Sequence, residues 1–355
     1  MIKSIELNET PVRTSKNFNA NNIKINDIEI PDNISSFYNI DITGECSNIQ
    51  VEQENKDYSL VYGLGNFLNE YSKAKSNKEL NIIVNSKTPK EFILSFNFDE
   101  NNLNLIENIK ITANENCKAT IIIKYKSDHN VNAFHNGIIK TIAKNMADIN
   151  IIIVNLMNDS SNNFLSIENT LEDSSKVKYT IVDFGGKHSI TNFYSNLIGN
   201  FSNNIINTIY LGKNNQLFDL NYIAELRGVK SNVDIEVQGA LKDTAHKHFK
   251  GTIDFKKGCK KATGNENEFC MLLSDKAKSL ALPMLLCSEE DVEGNHSSAT
   301  GKIGEKELFY IMSRGFELKE AMKLMVRAKF NRIIENIKNE ELKEEILNEI
   351  DNRLD

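Results

Sequence analysis

Residues before about 57 are polar and irregular, broken by one turn-like phrase, Glu9-Thr10-Pro11-Val12-Arg13-Thr14, and read as a peripheral arm. Between residues 58 and 74, Leu60, Leu64, Phe67, Leu68 and Tyr71 fall at helical spacing, which predicts an amphipathic helix with an apolar stripe to cover. From 79 to about 287 the period drops to two. Val177, Tyr179 and Ile181 alternate with Lys178 and Thr180, and Val233, Ile235 and Val237 with Asp234, Glu236 and Gln238, each predicting a strand with one buried face. Turns are marked by Asn, Asp and Ser clusters, as over 158–163, at irregular intervals. The one two-residue hairpin signal is Asn136-Gly137. A sandwich, a barrel and a β-solenoid all remain open on periodicity, with a lean toward stacked rungs, whose ends need caps that the flanking helices can supply.

After Glu305 the pattern turns helical again. Residues 317–338 carry Leu318, Ala321, Met322, Leu324, Met325, Val326, Phe330, Ile333, Ile334 and Ile337, and a second helix carries Leu342, Ile346, Leu347, Ile350 and Leu354 after a short Asn-Glu-Glu link. The first is apolar on more than one face, which suggests a protein partner there, against a plain reading in which it is buried in its own domain. The expected organisation is an arm and helix over 1–78, a strand core over 79–303 and a helical region over 304–355.

The 355 residues carry 42 Lys and Arg against 49 Asp and Glu, a net charge of −7, which offers no electrostatic footprint for nucleic acid or anionic lipid. No apolar run reaches membrane-spanning length, and Met1 to Asn8 show no secretory pattern, so a cytoplasmic protein is expected. Five cysteines, at 46, 117, 259, 270 and 287, contain no Cys-x-x-Cys and read as reduced thiols.

Enzyme motifs are missing. There is no Gly-x-x-x-x-Gly-Lys-Ser/Thr, no Gly-x-Ser-x-Gly and no His-Glu-x-x-His, and Gly63-Leu64-Gly65 lacks both a third glycine and a preceding strand, so helix packing is its expected role. A carbohydrate-active β-helix enzyme would need paired carboxylates on an exposed face, whereas the acidic residues here look spread between strands. His246 and His248 would share a strand face with Cys259 nearby, a possible metal site or a plain polar face. His296 follows the acidic turn after Cys287 and is a candidate ligand or proton carrier.

Five phrases then occur in order: His248-Phe249-Lys250-Gly251-Thr252-Ile253-Asp254-Phe255, Glu268-Phe269-Cys270-Met271-Leu272-Leu273-Ser274-Asp275-Lys276-Ala277, Pro283-Met284-Leu285, Asn295-His296-Ser297-Ser298-Ala299-Thr300-Gly301-Lys302-Ile303 and Glu307-Leu308-Phe309-Tyr310-Ile311-Met312-Ser313-Arg314-Gly315. Together they resemble the SufB/SufD family of iron-sulfur cluster assembly scaffolds from about His246 onward; upstream the match is looser, through Pro11-Val12-Arg13-Thr14 and Leu80-Asn81-Ile82-Ile83-Val84. The resemblance implies a right-handed parallel β-helix with flanking helical regions, and a subunit that pairs through its β-helix with a SufB-like chain. It also implies a C-terminal region that docks SufC, an ABC-type ATPase, which would be the only source of ATP chemistry. A transient iron-sulfur cluster would form at the subunit interface, with sulfur arriving indirectly from a donor; whether a reduced flavin takes part is not written in these phrases.

A SufB-like chain carries Glu-His-Glu-Ala where this one reads Asn295-His296-Ser297-Ser298, and the place of a SufB-like cysteine holds Glu268, with Cys270 offset by two. Both departures favour a SufD-like identity. By that resemblance His296 is the first site residue and metal ligand, Cys270, Cys287 and Cys259 are weaker cluster-binding candidates, and Phe309, Tyr310, Arg314, Gly315, Met322 and Met325 belong to ATPase docking. A homodimeric SufB-like scaffold that receives sulfur itself is the alternative within the family.

Overall fold

The computed structural model describes residues 2–13, 20–44 and 48–355, so Thr14 and Cys46 lie outside the described residues. Four short strands, β1 (Ile2–Leu7), β2 (Ile23–Ile28), β3 (Ile40–Thr43) and β4 (Ile49–Glu52), precede helix α1 (Asn66–Lys75). Sixteen strands follow. The first eight are β5 (Lys78–Val84), β6 (Lys90–Phe98), β7 (Asn104–Ala113), β8 (Lys118–Ser127), β9 (Phe134–Ala143), β10 (Asp148–Leu156), β11 (Asn162–Leu171) and β12 (Lys176–Asp183). The second eight are β13 (His188–Leu197), β14 (Asn203–Gly212), β15 (Leu217–Leu226), β16 (Asn232–Leu241), β17 (His246–Phe255), β18 (Ala262–Leu272), β19 (Lys278–Cys287) and β20 (Val292–Lys302). Helices α2 (Glu305–Ser313), α3 (Leu318–Ile334) and α4 (Glu340–Leu354) come last.

From β5 to β20, strands two apart in sequence pair in parallel, the odd-numbered ones in one sheet and the even-numbered ones in the other. Each sheet is finished at its N-terminal end by a short antiparallel strand, β4 on β5 and β3 on β6. The result is a mainly β, parallel β-solenoid of about eight turns. Inward side chains stack in columns: Phe92, Ile121, Ile151, Tyr179, Ile206 and Ile235 lie one above another through six turns, all buried. Stacking is what removes these side chains from water, since one rung alone has no opposite layer.

Asn136-Gly137, expected as a hairpin turn, lies inside β9. A Cβ at Gly137 would meet His135 Nε2 at 2.7 Å and Glu107 Oε1 at 2.8 Å, so the glycine makes room for buried polar groups instead of turning the chain. The N-terminal arm is also more ordered than its composition suggests. β1 and β2 pair antiparallel, and Ile5, Leu7, Ile23 and Ile25 pack with α1 on the outer face of the odd sheet, against Phe134, Phe164 and Ile190. The helix expected over 58–74 begins only at Asn66, because Gly63 and Gly65 sit at φ 91° and 139°, outside the helical region. Both lie against the start of α1: the Gly65 carbonyl accepts from the Asn69 N–H (3.1 Å), and a Cβ at Gly63 would meet Asn69 Oδ1 at 3.2 Å. The N–H of Gly63 donates to Asn192 Oδ1 (3.0 Å), fastening this stretch to the sheet.

At the other end there are three helices where two were expected. α3 and α4 cover the outer face of the even sheet, with Val326, Phe330, Ile333, Ile334, Ile346 and Ile350 against Ile152, Val182, Ile209, Leu211 and Met271. The apolar excess over 317–338 is therefore largely spent inside the chain. No helix among the described residues is long and apolar enough to cross a membrane.

Candidate functional site at the open end

One end of the solenoid is left uncovered. β19 and β20 are the outermost strands of their sheets, and each presents one unpaired ladder side among the described residues. An edge of this length is a template for another chain. β19 is apolar on both faces, with Leu280 exposed and Leu282, Leu285 and Leu286 half-buried, and nearly every residue of β20 is exposed. Such an edge in an isolated chain invites association.

His296 lies in the middle of β20. Ser298 donates its hydroxyl to Glu268 Oε2 (2.7 Å) inside the solenoid, whereas Ser297 donates to Asn267 Oδ1 (2.7 Å) on the outer face, so strand alternation turns His296 toward the lumen. It is exposed because, among the described residues, no further turn lies above it. Its register partner in β18 is Glu266, which continues the column of Ile206 and Ile235.

Beneath this rim the lumen changes character. Glu266, Glu268 and Cys270 occupy successive inward positions of β18, and Lys247 faces them from β17. The Lys247 ammonium lies 2.6 Å from Glu268 Oε1, donates to the Leu280 carbonyl (3.3 Å) and sits over the rings of Tyr210 and Phe249. Tyr210 also donates to Glu268 (3.3 Å). Glu266 is fully buried and neither carboxylate oxygen has a hydrogen-bond partner. Burial, reinforced by the neighbouring Glu268 charge, pushes its pKa up to about 8. A Cβ at Gly251 would fall 2.1 Å from Glu266 Oε2, so this carboxyl occupies space that only a glycine leaves open.

The cysteine candidates separate. Cys270 is buried in the lumen, where burial holds its thiol above the ordinary range, and its register partner is Thr300, four residues along β20 from His296. Cys259 is enclosed in the turn after β17, and burial pushes its pKa up to about 11. Neither offers a ready thiolate. Cys287 is exposed at the end of β19, where its thiol donates to the Glu289 carbonyl (2.9 Å), and it lines a concavity of about 670 Å³ with Phe255, Leu285, Val292 and Gly294. His246 and His248 do share the outer face of β17, but Cys259 lies inside, so the three do not meet. Burial lowers the pKa of His248, opposed by Asp219 nearby. Among the described residues no three His, Cys, Asp or Glu side chains gather as a metal cage.

The docking candidates fall on a second surface. α2 buries none of its residues; Phe309 is 74% and Tyr310 58% exposed, and Met312, Phe316, Leu318 and Leu324 extend the apolar area. Arg314 lies 5.1 Å from the Tyr310 ring and donates to its hydroxyl (2.9 Å), and Gly315 takes φ 99° to turn the chain into α3. Met322 and Met325 are half-buried on α3.

Sequence reasoning missed Lys247, Glu266 and Glu268 as lumen residues. Their signal was parity: in β18 the charged positions 266 and 268 share the face of Ala262, Gly264 and Cys270.

The chain is 23% identical over 258 residues to the iron-sulfur cluster assembly protein SufD of Bacillus subtilis, a match covering 72% of this chain and 59% of that protein. It is 32% identical over 122 residues to a SufBD family protein of Pyrococcus horikoshii, covering 34% of this chain and 27% of that protein. A further relative, SufD of Plasmodium berghei, is 30% identical over 111 residues, 31% of this chain and 8% of that protein. The chain thus spans less than two thirds of these relatives' length. Residues 96–329 match the model of the SufBD core domain of the SUF system for FeS cluster assembly, and on that match the chain belongs to the SufBD family, with a SufD-like character.

Proposed function

We propose that this chain is a non-catalytic scaffold subunit of a cytoplasmic SUF-type complex, which pairs through its open solenoid end with a SufB-like chain and docks a SufC-like ABC ATPase on α2 and the start of α3. The observation that carries the reading is His296 at the centre of an unpaired, exposed edge strand, facing the lumen of an unfinished turn. A partner strand added there would satisfy the ladder, cover the apolar β19 and bring its own side chains opposite the imidazole. The cluster is cargo, assembled in that seam. Imidazole and carboxylate donors suit ferrous iron, while the enclosed thiols of Cys270 and Cys259 leave most of the sulfur ligation to the partner, with Cys287 the exposed thiol among the described residues. ATP binding belongs to the docked ATPase, since the chain has no phosphate-binding loop.

Two measurements test the reading. Anaerobic reconstitution of the complex with iron and sulfide should give a clearly lower cluster yield with His296→Ala while the ATPase still co-purifies; an unchanged yield removes His296 from the seam. Phe309→Ala combined with Tyr310→Ala should abolish ATPase capture in a pull-down without lowering the melting temperature, because neither side chain is buried. Capture that persists refutes docking on α2. A cluster held by the chain without a second β-helix subunit would favour the homodimeric scaffold instead.

A further inference from the structure

Phe92, Ile121, Ile151, Tyr179, Ile206 and Ile235 form one inward column through six turns, and the next two positions in that column are Glu266 and His296. The break from a water-excluding column to a carboxyl and an imidazole comes at the last two turns, where the lumen opens. Glu266 is out of solvent and has no partner on either oxygen, an arrangement that costs on the order of 1–3 kcal/mol when nothing compensates it. Gly251 in β17 leaves the space this carboxyl fills. The neighbouring Glu268 differs, since Lys247, Tyr210 and Ser298 all engage it. An orphaned carboxyl stacked directly under an exposed imidazole thus has both its lone pairs and its position available for a ligand that arrives from the rim.

We propose that Glu266 is the anionic donor of the seam, forming with His296 a two-donor site for a divalent cation of the Fe(II) class. Carboxylate and imidazole from adjacent rungs supply hard and borderline donors, and the remaining positions are left to water or to a partner's side chains. This rests on the reading of the open end as the assembly seam. It adds a residue that neither the exposed histidine nor the cysteines would indicate, and it separates Glu266, which meets cargo, from Glu268, which Lys247 holds in place.

The test is an anaerobic competition of Fe(II) against a chromogenic chelator on the full chain, alone and with its β-helix partner, together with the visible spectrum of bound Co(II). Glu266→Gln should weaken Fe(II) binding by about 10–100-fold and shift the Co(II) bands, with partial recovery in Glu266→Asp. Glu266→Leu should raise the melting temperature, since the orphaned carboxyl is gone. If His296→Ala weakens binding and Glu266→Gln does not, the inference fails and the seam reading stands. A fall in melting temperature in all three Glu266 variants, with Fe(II) affinity intact in the folded protein, assigns Glu266 a structural role and overturns it too. No Fe(II) uptake by wild-type protein, alone or paired, overturns it as well, while cluster yield with His296→Ala still judges the seam separately.

Discussion

Two polar groups occupy the same lumen and differ in how completely the chain satisfies them. In the inner turns the Tyr125 hydroxyl donates to Glu107, Glu107 Oε1 meets His135 Nε2 (3.3 Å), and His135 Nδ1 meets Asn163 Oδ1 (2.6 Å). Asn163 then donates to Ser189 (3.0 Å), and Ser189 and Asn155 donate to Asp183 (2.8 Å each). Even Glu107, with one oxygen free, has the other engaged twice. At the open end Lys247 and Glu268 are matched, but Glu266 is orphaned and His296 faces solvent. A polar lumen is therefore no mark of function in this fold, because a closed hydrogen-bonded chain rigidifies the stack. Single unpartnered oxygens occur in the inner turns too, on Glu107 and Asn169, but the carboxyl with no partner on either oxygen is Glu266, where another molecule can complete it.

The largest effect expected from breaking this contrast is at Lys247. Lys247→Met leaves Glu268 buried without its cation, so the folded chain should lose about 3–5 kcal/mol, read as a fall in the urea midpoint. A loss below about 1 kcal/mol would show that water already reaches Glu268 from the rim.

The next effect is a dependence on pH. Glu266 has a folded pKa of about 8 against 4.5 for the free group, so between those values the folded chain holds a proton the unfolded chain has released, and stability falls as pH rises. At full effect the slope is about 1.4 kcal/mol per pH unit. Asp183, raised to about 6 by burial, contributes a slope of the same sign only below that value. Between pH 6 and 8 the difference between wild type and Glu266→Gln should therefore isolate Glu266. Parallel stability profiles in that window would show that Glu266 has an ordinary pKa and a partner the structure lacks.

The strands were legible because their physics is local. Val177, Tyr179 and Ile181 in β12, or Val233, Ile235 and Val237 in β16, alternate whatever lies above them. The stacking was not visible as a repeat, since neighbours in a column lie 27 to 31 residues apart and share burial without sharing identity: Ile151, Tyr179 and Ile206 are consecutive. Asn136-Gly137 misled for the same reason, being a turn signal in isolation and a space-making pair once His135 and Glu107 are folded beside it. His296 was reachable through its phrase. Glu266 was not, because a glutamate between Asn265 and Asn267 reads as solvated until a neighbouring rung reveals that it points inward.

The smallest effect compares two serines that play the same role at the two places. Ser189 accepts from Asn163 and donates to Asp183 deep in the stack; Ser298 donates to Glu268 at the exposed rim. Ser189→Ala leaves Asp183 with only its bond from Asn155 and takes the acceptor from the Asn163 amide, both out of reach of water, and should cost about 1–3 kcal/mol. Ser298→Ala leaves Glu268 its bonds to Lys247 and Tyr210, and water at the rim can replace the hydroxyl, so its cost should stay within about 0.5 kcal/mol. Urea midpoints of the two variants measure the difference directly. Equal costs would mean that the last turn excludes water as well as the inner ones do, and the open end would then be closed in the isolated chain, with no room for a partner's donors to complete it.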